Sequence, residues 1–112
     1  MTTEAAPANE VHLIGRVSGR PTQRTLPSGD ELVQLRVVVP RPPRRGTDKR
    51  AQVDTIDVAC WSARSRASAL RLPDGQGVEI SGALRRRFFA AGAARASRYE
   101  VGAASVRRVT LP

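Results

Sequence analysis

Apolar residues recur with a period of two in several blocks of the chain. Along LVQLRVVV, residues 32–39, Val33, Leu35, Val37 and Val39 fall on one face, with Gln34, Arg36 and Val38 on the other. Alternation of this kind belongs to a half-buried β-strand. VDTIDVACWS, residues 53–62, repeats it: Ile56, Val58 and Cys60 share one face, and Thr55, Asp57, Ala59 and Trp61 the other. In VEISGALRRRFF, residues 78–89, Val78, Ile80 and Leu84 form one face and Arg85, Arg87 and Phe89 the opposite one. Leu84 and Phe88 are expected to turn toward the core. VHLIGRV reads as an earlier strand, with Gly15 marking a bulge or bend. SRYEVGAASVRRVTL reads as the last strand.

The intervening segments carry the punctuation. LPSGDE, residues 26–31, and PDGQG are turn sequences. PRPPRRGTDKR, residues 40–50, holds three prolines and five basic residues and reads as a long, positively charged loop. SARSRASALRL has helical propensity for about two turns, with Ser62 as N-cap. AAGAARAS reads as a flexible hairpin loop. Residues 1–9, polar and alanine-rich, read as a disordered tail, leaving residues 10–112 as the domain. The order β, β, loop, β, short helix, β, β predicts an all-β fold, a five-stranded OB-fold barrel with one short helix.

A length of 112 residues suits one such domain. No apolar run approaches the ~20 residues of a membrane span. MTTEAAPANE lacks the apolar core of a signal peptide, so a cytoplasmic, nucleoid-associated protein is expected. With one Cys and one His, the chain excludes an intrachain disulfide and Cys-rich zinc sites. Cys60, in the apolar run IDVACW, reads as a buried structural thiol. The carboxylates are scattered and no nucleophile–base pair is evident, so no enzymatic activity, cofactor or metal is expected.

Nineteen basic against ten acidic residues give a net charge of +9, a field that gathers polyanions. Eighteen of the nineteen are Arg, and GC-rich coding produces the same bias, so position has to decide. In a strand, Arg85 and Arg87 point the same way as Phe89. Trp61 sits on the non-core face of its own strand, where an indole without a cover is unusual. Guanidinium groups attract phosphates, and unstacked bases lie flat on rings, each stack contributing ~1–3 kcal/mol with little sequence preference. Arg41, Arg44, Arg45, Lys49 and Arg50 concentrate more charge in the 40–50 loop.

Five stretches then resemble, in order and spacing, the bacterial single-stranded DNA-binding protein family: NEVHLIGRVSGRPTQR, LPSGDELVQLRVVV, VDTIDVACW, GVEISGALRRRF and SRYEVGAASV. The resemblance runs from Asn9 to about Leu111. It implies a non-enzymatic OB-fold that coats single-stranded DNA without sequence specificity in replication, recombination or repair, as a homo-oligomer (tetramer by resemblance, dimer as the alternative). By position it implies base stacking at Trp61 and Phe89, with Tyr99 of the final hairpin as a third stacking aromatic, and basic contacts at Arg24, Arg85 and Arg87. Arg36 and the 41–50 loop would add backbone contacts. The chain departs from the family near Pro43 and at Thr55, where two tryptophans of the enterobacterial type are missing, and at Asp57, an acid in place of a base. Ile56 and Glu79 stand where interface His and Tyr residues are common. SVRRVTLP stands in place of a linker and acidic tip, so the recruiting role is expected to be absent. Two other OB functions fit the residues: a primosome-like protein-interaction module and an RNA-binding protein.

Overall fold

The computed structural model describes residues 2–42 and 52–112. Five strands close into a barrel in the order β1-β2-β3-β5-β4. They are β1 (Val11–Thr25), β2 (Glu31–Pro40), β3 (Val53–Cys60), β4 (Gly77–Ala91) and β5 (Ala94–Arg108), with one helix, α1 (Ala63–Leu70), between β3 and β4. This is the five-stranded, single-helix architecture that the alternation implied. Ser62 caps the helix, its hydroxyl accepting from the Ser65 amide at 3.1 Å.

The inward positions supply the core. Val17, Val33, Leu35, Val37, Val58, Cys60, Val78, Ile80 and Val101 are buried together, with Ala69 and Leu72 from the helix and its exit. All neighbouring strands pair antiparallel except β3 and β5, which run parallel and meet through two residue pairs, Val58 with Val101 and Ala59 with Gly102. A parallel closure of this sort needs a long crossover, here α1 followed by the β4–β5 hairpin.

β1 and β4 are longer than the sequence pattern suggested, and β5 begins and ends three residues earlier. The expected AAGAARAS loop is mostly strand: β4 and β5 stay paired out to Ala91 and Ala94, leaving Gly92 and Ala93 as the turn. Gly92 has φ +64°, as a tight two-residue turn with glycine in first position requires. Alanine carries little β signal, so the ladder rather than side-chain preference defines this end. Beyond the barrel the ribbon has no core to face. Leu84 and Phe88, expected to turn inward, are therefore 47% and 54% exposed.

Gly15 proves to be a site of close approach rather than a bulge. The irregularity in β1 lies between Ser18 and Thr22, whereas a Cβ at Gly15 would meet the Val38 carbonyl oxygen. At Gly82 the added carbon would meet the Gly102 carbonyl, beside the register shift where β5 accommodates an extra residue. Asn9 ties the start of the domain to β4, its side chain donating to the Leu84 carbonyl and accepting from the Leu84 amide, both at 2.8 Å.

Gly82→Ala is expected to destabilise the barrel by ~1–3 kcal/mol, because the obstruction is backbone and cannot rotate away; urea unfolding measures it. Burial pushes the Cys60 thiol up to about 11 from 9.0, against a smaller opposing effect of its hydrogen bond with Ser65. The protonated thiol favours the folded state fully below pH 9.0, and that contribution is lost as pH rises through about 11. A thiol-specific reagent at neutral pH should therefore leave Cys60 unmodified until urea unfolds the chain.

Candidate functional site

The outward positions of β1, β2, β3 and β5 build one side of the barrel. Ser18, Arg36 and Asp57 stand side by side across three strands. They belong to a cleft of about 300 Å³ that also takes Arg20, Thr22, Gln34, Arg98 and Glu100. Arg24 reaches its rim by donating to Gln34 Oε1 at 3.4 Å.

Glu100 also lines a second, wider hollow of about 790 Å³, so the two hollows adjoin. Trp61, Arg85 and Arg87 line the second one, over a floor of Ala83 and Gly102. The small floor residues create the space: a Cβ at Gly102 would sit 3.2 Å from the Arg85 Cγ. Trp61 follows directly on the last residue of β3 and is 38% exposed, so its indole is available to solvent. Phe89 continues the same face along the ribbon, with the Arg87 and Arg98 guanidinium carbons 6.0 and 5.5 Å from its ring centre. Rings and guanidiniums from β4, β5 and the residue that follows β3 thus share one side of the molecule.

Carboxylates partner several of these cations. Glu100, almost wholly buried, accepts from Arg87 Nε and Nη2 at 3.2 and 3.1 Å. Asp57 lies 3.5 Å from Arg36, with both side chains largely exposed. Arg41 donates to both oxygens of Asp54 at 2.7–3.1 Å. Those hydrogen bonds hold Asp54 below the ordinary carboxylate range and raise Arg41 further. Another carboxylate lies elsewhere: Glu79 sits 2.6 Å from His12 Nε2 and also accepts from Arg107. The hydrogen bond with His12, followed by that with Arg107, lowers its pKa.

Of the residues singled out in the sequence, Trp61, Arg36, Arg85, Arg87 and Phe89 converge, with Arg24 at the edge. Arg41 stands apart, fixed by Asp54. Tyr99 faces Arg86 across the ribbon, two registers from Phe88 with Ser97, and so lies on the side opposite Arg87 and Phe89. Arg44, Arg45, Lys49 and Arg50 lie outside the described residues. Arg20, Arg98 and Glu100 were missed. Arg98 and Glu100, two apart in β5, share a face, and the position of the turn at Gly92 brings that face level with Arg85 and Arg87. Among the described residues no group of His, Cys, Asp and Glu could hold a metal ion, and no helix is long and apolar enough to cross a membrane.

Comparison with known proteins adds to this geometry. The family model described as "Single-strand binding protein family" matches residues 8–109. Among solved structures, the Plasmodium falciparum SSB complex with ssDNA superposes with a TM-score of 0.77 at 16% sequence identity, covering 96% of this chain and 100% of that one. No curated protein matches the chain.

The two classes of ion pair are expected to differ in their effect on stability. Glu100→Ala strands a guanidinium in a half-buried setting and should cost ~3–5 kcal/mol. Asp57→Ala, at a solvent-exposed pair, should change stability by no more than ~1 kcal/mol. Chemical denaturation of the two variants beside the parent checks the contrast.

Proposed function

This chain belongs to the single-strand binding protein family, and on that premise we propose that it binds single-stranded DNA along the cleft and hollow that Glu100 joins. The observation that carries the proposal is the gathering of the Trp61 indole with Arg85 and Arg87 in one open hollow, beside Phe89. Bases stack on the indole and on Phe89, and the guanidiniums hold the phosphates between them. Neither interaction reads sequence, because each base offers a flat face and each nucleotide a charge. Arg20, Arg36 and Arg98 extend the cationic track over the barrel, with Arg24 at its rim. Arg41 and the residues Arg44, Arg45, Lys49 and Arg50, the last four outside the described residues, add to the net positive charge that draws a polyanion. Binding is non-enzymatic and serves replication, recombination or repair. Self-association into a homo-oligomer is part of the same reading and is measured by light scattering.

The resident carboxylates set how tightly the track binds. A phosphate that approaches Arg36 or Arg87 competes with Asp57 or Glu100. Occupancy therefore exchanges one ion pair for another instead of adding a pair. Two rings contribute ~2–6 kcal/mol together, so the cations supply the rest.

Oligo-dT should quench the fluorescence of Trp61, the single indole of the chain, and added salt should reverse the quenching. Absence of both quenching and a mobility shift would refute the proposal. Asp57→Asn frees Arg36 from its partner. It should tighten oligo-dT binding severalfold at low salt and steepen the dependence of log K on log salt by ~0.7, one more phosphate neutralised on a single strand. Stability should stay within ~0.5 kcal/mol of the parent, so the change in binding is separable from any change in folding.

A further inference from the structure

On the far side of the β4–β5 ribbon from Arg87 and Phe89, a second set of rings and cations stands free of the barrel. Phe88 and Tyr99 are 54% and 60% exposed. The Arg86 guanidinium carbon lies 4.8 Å from the Phe88 ring centre and 5.4 Å from that of Tyr99. Arg95 approaches Phe88 from the tip, at 5.5 Å. Arg86 also donates to the Ser97 hydroxyl at 3.3–3.4 Å. Opposite residues of an antiparallel pair share a face, and the register places Arg86 against Tyr99, Phe88 against Ser97 and Ala90 against Arg95. Those six residues include two rings, two cations and no carboxylate. The near face differs, because Glu100 there neutralises Arg87.

We propose that this far face is a second stacking site for single-stranded DNA, with Phe88 and Tyr99 as base platforms and Arg86 and Arg95 as phosphate contacts. The proposal rests on the single-stranded DNA reading above and adds a site to it. Charge complementarity selects the occupant. A second copy of this chain docking face to face through a two-fold axis would bring this cationic patch against an identical one, with no acid in either to offset the charge. A polyanion carrying flat rings satisfies both the cations and the aromatics. The Arg86 guanidinium lies close to both rings and shares two of its nitrogens with Ser97, and the planar fork has further donors with which to meet a phosphate.

The tip of the ribbon allows one strand to reach both faces. A hollow of about 390 Å³ there is lined by Phe88, Phe89, Arg95 and small residues that include Ala90, Gly92 and Ala94. It brings the adjacent phenylalanines of the two faces to the same opening, with nothing larger than a methyl group at the turn itself. A strand long enough to pass the turn would occupy Trp61 and Phe89 first, then Phe88 and Tyr99.

Phe88→Leu combined with Tyr99→Leu removes both rings from exposed positions. Binding is followed by quenching of Trp61 with oligo-dT of about eight and about twenty nucleotides, one within and one beyond the ~4–16 nucleotides that one OB-fold covers. The expected result is an unchanged affinity for the shorter strand and a loss of roughly tenfold or more for the longer one, with the scattering mass of the free protein unaltered. A direct readout comes from Phe88→Trp in a Trp61→Phe background, where the new indole should be quenched by the longer strand. Unchanged affinity for both lengths, or no quenching of that indole, would overturn the proposal. So would a lower mass for the double-leucine variant with DNA binding intact, which would assign the face to self-association. Failure of the parent chain to respond to any oligo-dT would instead remove the single-stranded DNA reading itself, and this site with it.

Discussion

The β4–β5 ladder is the constraint on which the rest of the molecule depends. Fourteen residue pairs join the two strands, from Val78 opposite Arg108 to Ala91 opposite Ala94. Over the barrel, the inward positions of this ladder hold Val78, Ile80 and Val101, and closure of the sheet makes them core. Past Leu84 the pairing continues while the core ends. The alternation that had separated oil from water then separates two wet faces. Each carries arginines and aromatics, because the residues there no longer have an apolar interior to fill. The position of every β4 and β5 side chain in both candidate tracks follows from that continued register.

On the near face, the acids are as informative as the bases. Glu100 sits where the cleft of Arg20 and Arg36 meets the hollow of Trp61 and Arg85, nearly removed from solvent and held by Arg87. A buried carboxylate with a guanidinium partner orders both groups but contributes little net stability relative to an apolar pair. At this junction it positions Arg87 and offsets part of the local positive charge. Asp57 acts similarly on Arg36 at a more exposed place, with a correspondingly smaller hold.

Barrel topology was legible in the sequence because the β2 and β3 segments alternate cleanly and because a capped helix interrupts the strands after the third. The same alternation predicted that Arg85, Arg87 and Phe89 share a face and that Trp61 lies outside the core. It failed where a second condition was needed. Leu84 and Phe88 have core parity, but parity gives burial only where another layer covers the strand, and the length of the ribbon was hidden by alanines that carry no strand signal. Tyr99 entered through the family resemblance, which gives a position in the last hairpin but not a face; the face follows from a turn at Gly92 that the alanine-rich stretch disguised. The roles of Arg20 and Arg98 emerge from closure, which brings β1 and β5 to a common cleft although their residues are far apart in the chain.

The barrel closes between β3 and β5 through only two residue pairs, and Trp61 stands two residues beyond the second of them. On one bank of that joint is the indole; on the other are Arg85 and Arg87, anchored over Gly102 and Glu100. Anything clasped by both banks spans the seam that the backbone itself fastens least. Occupancy and barrel integrity are consequently linked: a ligand bound to the closed form alone raises its melting temperature by mass action, and the seam is where that added cohesion acts.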